Sequence, residues 1–90
     1  MDIYEAIRKM KDKSERGETF SLSFMSYSYD RNKSEGIVKI EHAKLRKQSK
    51  KEDNRFADYM LNLVDMDSLE YRSCWQLLLL ELDGNELELN

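Results

Sequence analysis

The chain has no proline, one cysteine, one histidine, one tryptophan and three glycines in its 90 residues. The missing proline removes X-Pro isomerism and proline kinks from the account. A single cysteine excludes an intramolecular disulfide framework and suits a reducing compartment. Gly17, Gly36 and Gly84 stand alone, so no glycine-rich phosphate loop is present. The opening MDIYEAIRKM lacks an apolar signal region, and the longest pure leucine run is LLLL, far short of a membrane span. These absences point to a cytoplasmic protein with no membrane partner.

What is present fits one domain with a modest core. Apolar residues make up 40% and charged residues 37%, with nine aromatics, enough to argue against wholesale disorder. The net charge of −3 is unevenly spread. Residues 31–55 carry nine positive and four negative side chains, whereas residues 56–90 carry one and eight. A basic middle and an acidic end can pair with each other within one chain or between chains.

Local patterns predict the elements. Asp2 is a helix N-cap with Glu5 in capping-box position, and Ile3, Ala6, Ile7 and Met10 form one apolar stripe. Gly17 is the C-terminal stop. In Thr19–Tyr29, Phe20, Leu22 and Phe24 alternate with serines, which predicts a half-buried strand. Beyond Met25 the aromatics move to Tyr27 and Tyr29, and a bulge would explain the switch of face. Asp30–Gly36 reads as a hairpin loop and Ile37–Arg46 as the second strand, with a bulge or the end of the buried region near His42. Residues 47–54 form a polar loop. Phe56, Tyr59, Met60 and Leu63 fit a helix, and Tyr59, Leu61 and Leu63 fit a strand ending at Asp65. The strand is favoured because Asp67-Ser68 then turns into Glu70–Leu82 as one long partner.

Within that long strand, Leu78, Leu80 and Leu82 fall on one face and Trp75, Leu77 and Leu79 on the other. A strand apolar on both faces needs cover on both, from a second layer or a dimer interface. Asp83-Gly84-Asn85 turns the chain into a final hairpin. A Gly84-Asn85 turn sets Leu82 opposite Leu87. An Asp83-Gly84 turn sets Leu80 opposite Leu87 but also Glu81 opposite Glu86. That like-charge pair favours the first register. The expected architecture is α+β, an N-terminal helix packed on an antiparallel meander of about five strands.

Chemistry-bearing sets are sparse. Cys74 and His42 are a lone thiol and a lone imidazole with no motif around them, and they supply too few ligands for a Cys–His metal site. Cys74, beside Trp75, reads as a small buried residue. Asp65, Asp67 and Glu70, joined by Glu81 and Asp83 across the sheet, would be needed for a hard-cation site, and no calcium-loop pattern supports it. The expectation is a non-enzymatic protein without cofactor or metal, acting through a protein partner or self-association. The alternative is a nucleic-acid-binding accessory protein using Arg31, Lys33, Lys39, Lys44, Arg46, Lys47, Lys50 and Lys51, with Tyr27 or Tyr29 as stacking surfaces. That alternative requires one continuous positive face turned away from the acidic segment.

Tyr29-Asp30-Arg31, Gly36 with Ala43, Leu45 and Arg46, and Arg72, Cys74, Trp75 and Gln76 before the leucines also carry a resemblance. Across Phe20 to Leu89 the chain resembles small uncharacterised proteins of phage and integrative-element gene clusters. The resemblance implies a phage-derived accessory or structural role and transfers no catalytic residue.

Overall fold

The structure is a computed structural model that describes residues 1–28, 33–46 and 59–88, the side chains of 28 and 33–35 excepted. The described residues form one α-helix, α1 (Ile3–Glu15), and strands β1 (Phe20–Ser28), β2 (Lys33–Leu45), β3 (Met60–Asp65), β4 (Glu70–Trp75), β5 (Leu79–Leu82) and β6 (Asn85–Glu86). The six strands form one antiparallel sheet in the order β4-β3-β2-β1-β5-β6. The α+β class and the helix on a meander are as the sequence indicates.

α1 follows its local signals closely. The Asp2 carboxylate accepts the Glu5 N–H at 2.7 Å, which satisfies one of the orphan donors of the first turn. Ile3, Ala6, Ile7 and Met10 are all buried. At the other end Gly17 adopts φ +76°. There Glu18 N donates to Lys13 O at 2.8 Å and Gly17 N to Ser14 O at 3.2 Å, the paired bonds of a Schellman motif.

β1 is the centre of the sheet, with β2 on one side and β5 on the other. Phe20, Leu22 and Phe24 point from it into the core, as their alternation predicts. Three register slips occur along it. Phe20 and Leu22 pair with Ala43 and Ile40, Ser26 and Tyr27 with Gly36 and Ser34, and Ser23 and Phe24 with Glu81 and Leu79. In each case the extra residue belongs to the neighbour of β1. A bulged strand bends and twists more strongly, so β2 and β5 curl around a regular β1. The slip near His42 explains how Ile40 and Ala43, three positions apart, are both buried. The expected bulge near Met25 is realised one residue later and on the opposite strand. β2 also begins at Lys33, inside the segment expected to be loop.

The predicted long strand Glu70–Leu82 is wrong. It breaks at Gln76–Leu78, a single 3-10 turn between β4 and β5. β4 and β5 are separated by three strands in the sheet order. Four strand spacings in a flat sheet span about 19 Å. The four residue steps from Trp75 to Leu79 reach at most about 14 Å even when fully extended. The sheet must therefore roll, and the end of β4 comes to lie against β1. The leucine tract is also not apolar on two strand faces. Leu79 and Leu82 enter the core, the bulge carries Leu80 to a half-buried position, and Leu77 is exposed.

The final hairpin takes the register that the like-charge pair disfavoured. Glu81 pairs with Glu86, Leu82 pairs with Asn85, and Leu87 N donates to Leu80 O at 2.9 Å. The turn residues are Asp83 and Gly84, with φ +49° and +84°. Two positive φ values match the right-handed twist of the flanking strands. The Asp83 carboxylate accepts the Ser21 N–H at 2.9 Å and pairs with Lys13 Nζ at 2.7 Å, and Asp83 N donates to Ser21 O at 2.8 Å. These bonds fix the turn, and the exposed Glu81 and Glu86 remain solvated. Beyond β6, Asp2 bridges Glu88 in parallel, so the chain start covers that edge of the sheet.

Candidate protein-interaction surface

The roll of the sheet assembles an open apolar groove of about 400 Å³, lined by Tyr27, Trp75, Leu77 and Leu78. Tyr27 comes from the end of β1, Trp75 from the end of β4, and the two leucines from the 3-10 turn. Leu77 is 69% exposed, a large apolar side chain held on a tightly wound turn. The turn is anchored from the side by Gln76, whose Nε2 donates to Met60 O at 3.4 Å. The sequence marked Trp75 and Leu77 as one apolar face in need of cover and Tyr27 as an exposed aromatic. It did not bring them together, because the grouping depends on the roll.

β4 borders the groove and, among the described residues, forms an edge of the sheet. Its residues 70–73 are exposed, and Cys74 is buried against Leu61. Burial pushes the Cys74 thiol up to about 12, so the group is an unreactive core thiol at neutral pH. Tyr71 is 74% exposed and lies beneath the Arg46 guanidinium, 4.7 Å from its ring centroid. On the other face, Arg72 pairs with Glu70 at 3.6 Å.

His42 is on the surface and far from Cys74 in chemical role. Its Nδ1 lies 3.0 Å from the Asp67 carboxylate, and the hydrogen bond and charge of Asp67 hold the imidazole above its usual pKa. The acidic residues considered as cation ligands are not gathered together. Asp67 is taken by His42, Asp65 Oδ1 accepts the Asp67 N–H at 3.0 Å, and Asp83 is taken by Lys13 and Ser21. No cluster of three or more His, Cys, Asp or Glu residues able to hold a metal is found among the described residues.

Of the basic residues, Lys39, Lys44 and Arg46 lie within the described part with their side chains. Arg31, Lys47, Lys50 and Lys51, and the side chain of Lys33, lie outside it, as does Tyr29. Across the strands, Lys39 pairs with Ser23, Ser23 with Glu81, and Glu81 with Glu86. Residues opposite one another in register share a face, so two carboxylates occupy the row that Lys39 begins. Lys44 shares its face with Val64 and Tyr71. The acidic end of the chain therefore contributes to the same sheet surface as the basic strand rather than pointing elsewhere.

No helix among the described residues is long and apolar enough to cross a membrane. Comparisons with protein-family models, with curated proteins and with solved structures returned no match to this chain.

Proposed function

We propose that the protein is a non-enzymatic interaction module that assembles with protein through the groove of Tyr27, Trp75, Leu77 and Leu78. The observation that carries this reading is Leu77, held exposed beside Trp75 over an open apolar groove. An exposed leucine beside Trp75 and Tyr27 gives a partner an open apolar patch with aromatic anchors, the residue types enriched at interface centres. Cys74, buried with its thiol pushed up to about 12, offers no nucleophile, which further supports a non-enzymatic role. The proposed role extends to an accessory or structural one within a phage or integrative element, as the sequence resemblance implies.

Trp75 is the sole tryptophan, so its fluorescence reports directly on the groove. Affinity capture with the wild type and with Leu77→Asp, followed by titration of the purified partner against Trp75 emission, tests the reading. The expected result is a partner that shifts Trp75 emission and is weakened at least about tenfold by Leu77→Asp, as for a buried interface residue. A strict monomer in light scattering and sedimentation, with no protein retained, would remove it. The nucleic-acid alternative is separated by anisotropy with short oligonucleotides at two salt concentrations. Binding at low salt that falls with Lys39→Ala, Lys44→Ala and Arg46→Ala across all sequences would decide for that alternative.

A further inference from the structure

The β4 edge carries more information than exposure alone. The other edge of the sheet is a two-residue strand bridged by the chain start. β4 has six residues in unbroken register with β3, from Glu70 against Asp65 to Trp75 against Met60. It has no proline, lysine or bulge, and its two edge charges, Glu70 and Arg72, are of opposite sign, so they deter a foreign strand more than a second antiparallel copy.

The direction of its backbone groups follows from its neighbours. Arg46 N donates to Asn62 O, and Met66 N donates to His42 O, so the even-numbered residues of β3 turn toward β2. Leu61, Leu63 and Asp65 then turn toward β4, and their partners Cys74, Arg72 and Glu70 turn inward to meet them. Tyr71 and Ser73 are left with backbone N–H and C=O groups directed outward.

An antiparallel partner strand must bond to those outward groups. For two copies of β4 related by a two-fold axis, every register centred on a residue places odd residues opposite odd residues, and one centred on Glu70 sets two glutamates face to face, which is repulsive. A register centred on Arg72 sets two arginines face to face, which is repulsive. One centred on Ser73 requires Cys74 and Trp75, whose end of the strand is turned in against β1. A register centred on Tyr71 uses only the exposed stretch. It stacks Tyr71 on Tyr71 and sets Glu70 of each chain opposite Arg72 of the other. The existing Glu70–Arg72 pair then becomes a square of alternating charge. The Arg46 guanidinium over Tyr71 holds the ring on the face where that stack forms.

We propose that β4 pairs antiparallel with β4 of a second copy, with Tyr71 on the two-fold axis and Glu70 of each chain against Arg72 of the other. This deepens the interaction reading above by naming the chain itself as a partner, at a surface adjoining the groove. The ladder is short and buries less than the roughly 1,200 Å² of a standard stable interface, so the dimer is weak and concentration-dependent.

Sedimentation equilibrium on the full chain from about 10 μM to about 1 mM, the range in which an interface this small associates, tests the pairing. Wild type should move from monomer to dimer across it. Glu70→Arg and Arg72→Glu each place like charges opposite one another and should remain monomeric at the top concentration. An equimolar mixture of these two variants restores both Glu–Arg contacts and should form a one-to-one dimer. Both positions are exposed, and unchanged circular dichroism and melting would confirm that the variants fold. Monomeric wild type throughout, self-association of either single variant like wild type, or a mixture that stays monomeric would each overturn the proposal. Leu77→Asp should still dimerise. A protein partner lost with Leu77→Asp, together with a strictly monomeric wild type, would retain the groove reading and reject β4 self-pairing.

Discussion

Asp83 shows how one side chain can settle a register that strand pairing alone leaves open. Its left-handed backbone is tolerated because a short carboxylate finds partners nearby, here Ser21 N and Lys13 Nζ. Burial pushes the carboxyl upward, but the Lys13 and Ser21 hydrogen bonds outweigh it and hold the group below its usual pKa. A depressed carboxylate stabilises the fold above its unfolded value near 3.8, and the contribution disappears as pH falls through the lower folded value. Asp83→Asn keeps an acceptor for Ser21 and a residue suited to positive φ, but loses the charge. Because the Lys13 pair is partly exposed and screened, this variant should lose less than about 1 kcal/mol at neutral pH. Asp83→Ala loses the Ser21 bond and the left-handed preference as well, and should lose about 1–2 kcal/mol. Urea unfolding at pH 7 and pH 3 checks both magnitudes. The gap between wild type and the Asn variant should narrow at the lower pH, and a gap that widens would contradict the assignment.

At the level of elements, legibility followed the range of the contacts. α1 depends on neighbours within a few positions, and Asp2, the Ile3–Met10 stripe and Gly17 all act as their spacing indicates. The buried alternation of Phe20, Leu22 and Phe24 was equally local. The leucine tract was not, because four consecutive leucines fit a strand, a bulge or a 3-10 turn without a change in pattern. Their roles are set by β1, which receives Leu79 opposite Phe24 and Leu82 opposite Leu22. The turn register was hidden for the same reason, since Asp83 is fixed by residues 62 and 70 positions away. For the candidate site, the sequence supplied the apolar Trp75 and Leu77 and a strand starting at Glu70, but not its end at Trp75 or the roll that joins these residues to Tyr27. The division among leucines is testable. Leu79→Ala should destabilise the fold by about 2–5 kcal/mol, because it empties a buried position. Leu77→Ala should cost under about 0.5 kcal/mol, since an exposed side chain leaves no cavity. Equal losses in denaturant midpoints at constant slope would show that the tract is a single buried strand after all.

For the molecule as a whole, α1 is the element that packs on the rolled sheet. Its buried stripe joins a single cluster containing Leu22, Ile40, Leu61, Leu63 and Leu82, contributed by four different strands. The polar ties of α1 and the residues before it run from β2, inside the sheet order, to the β5–β6 end. Ser14 Oγ accepts the Leu45 N–H at 3.0 Å on β2, Lys13 reaches Asp83 after β5, and Glu88 N donates to Met1 O at 2.8 Å. No ladder joins β4 to β6 among the described residues, so the rolled sheet stays open, and the buried stripe of α1 packs on its core face. Met10 is the test residue because it is completely buried at the centre of that contact. Removing its side chain to Cβ should cost about 2–5 kcal/mol, from lost apolar transfer plus the cavity left behind. A domain of 90 residues has a total stability of only about 5–13 kcal/mol. Met10→Ala should therefore lower the melting temperature by about 8 °C or more, at about 4–8 °C per kcal/mol for a domain of this size. Because the helix and the sheet share one core, far- and near-ultraviolet circular dichroism should report a single coincident transition. If the helix signal melted well before the sheet signal, α1 would be an accessory layer and the sheet would hold its roll without it.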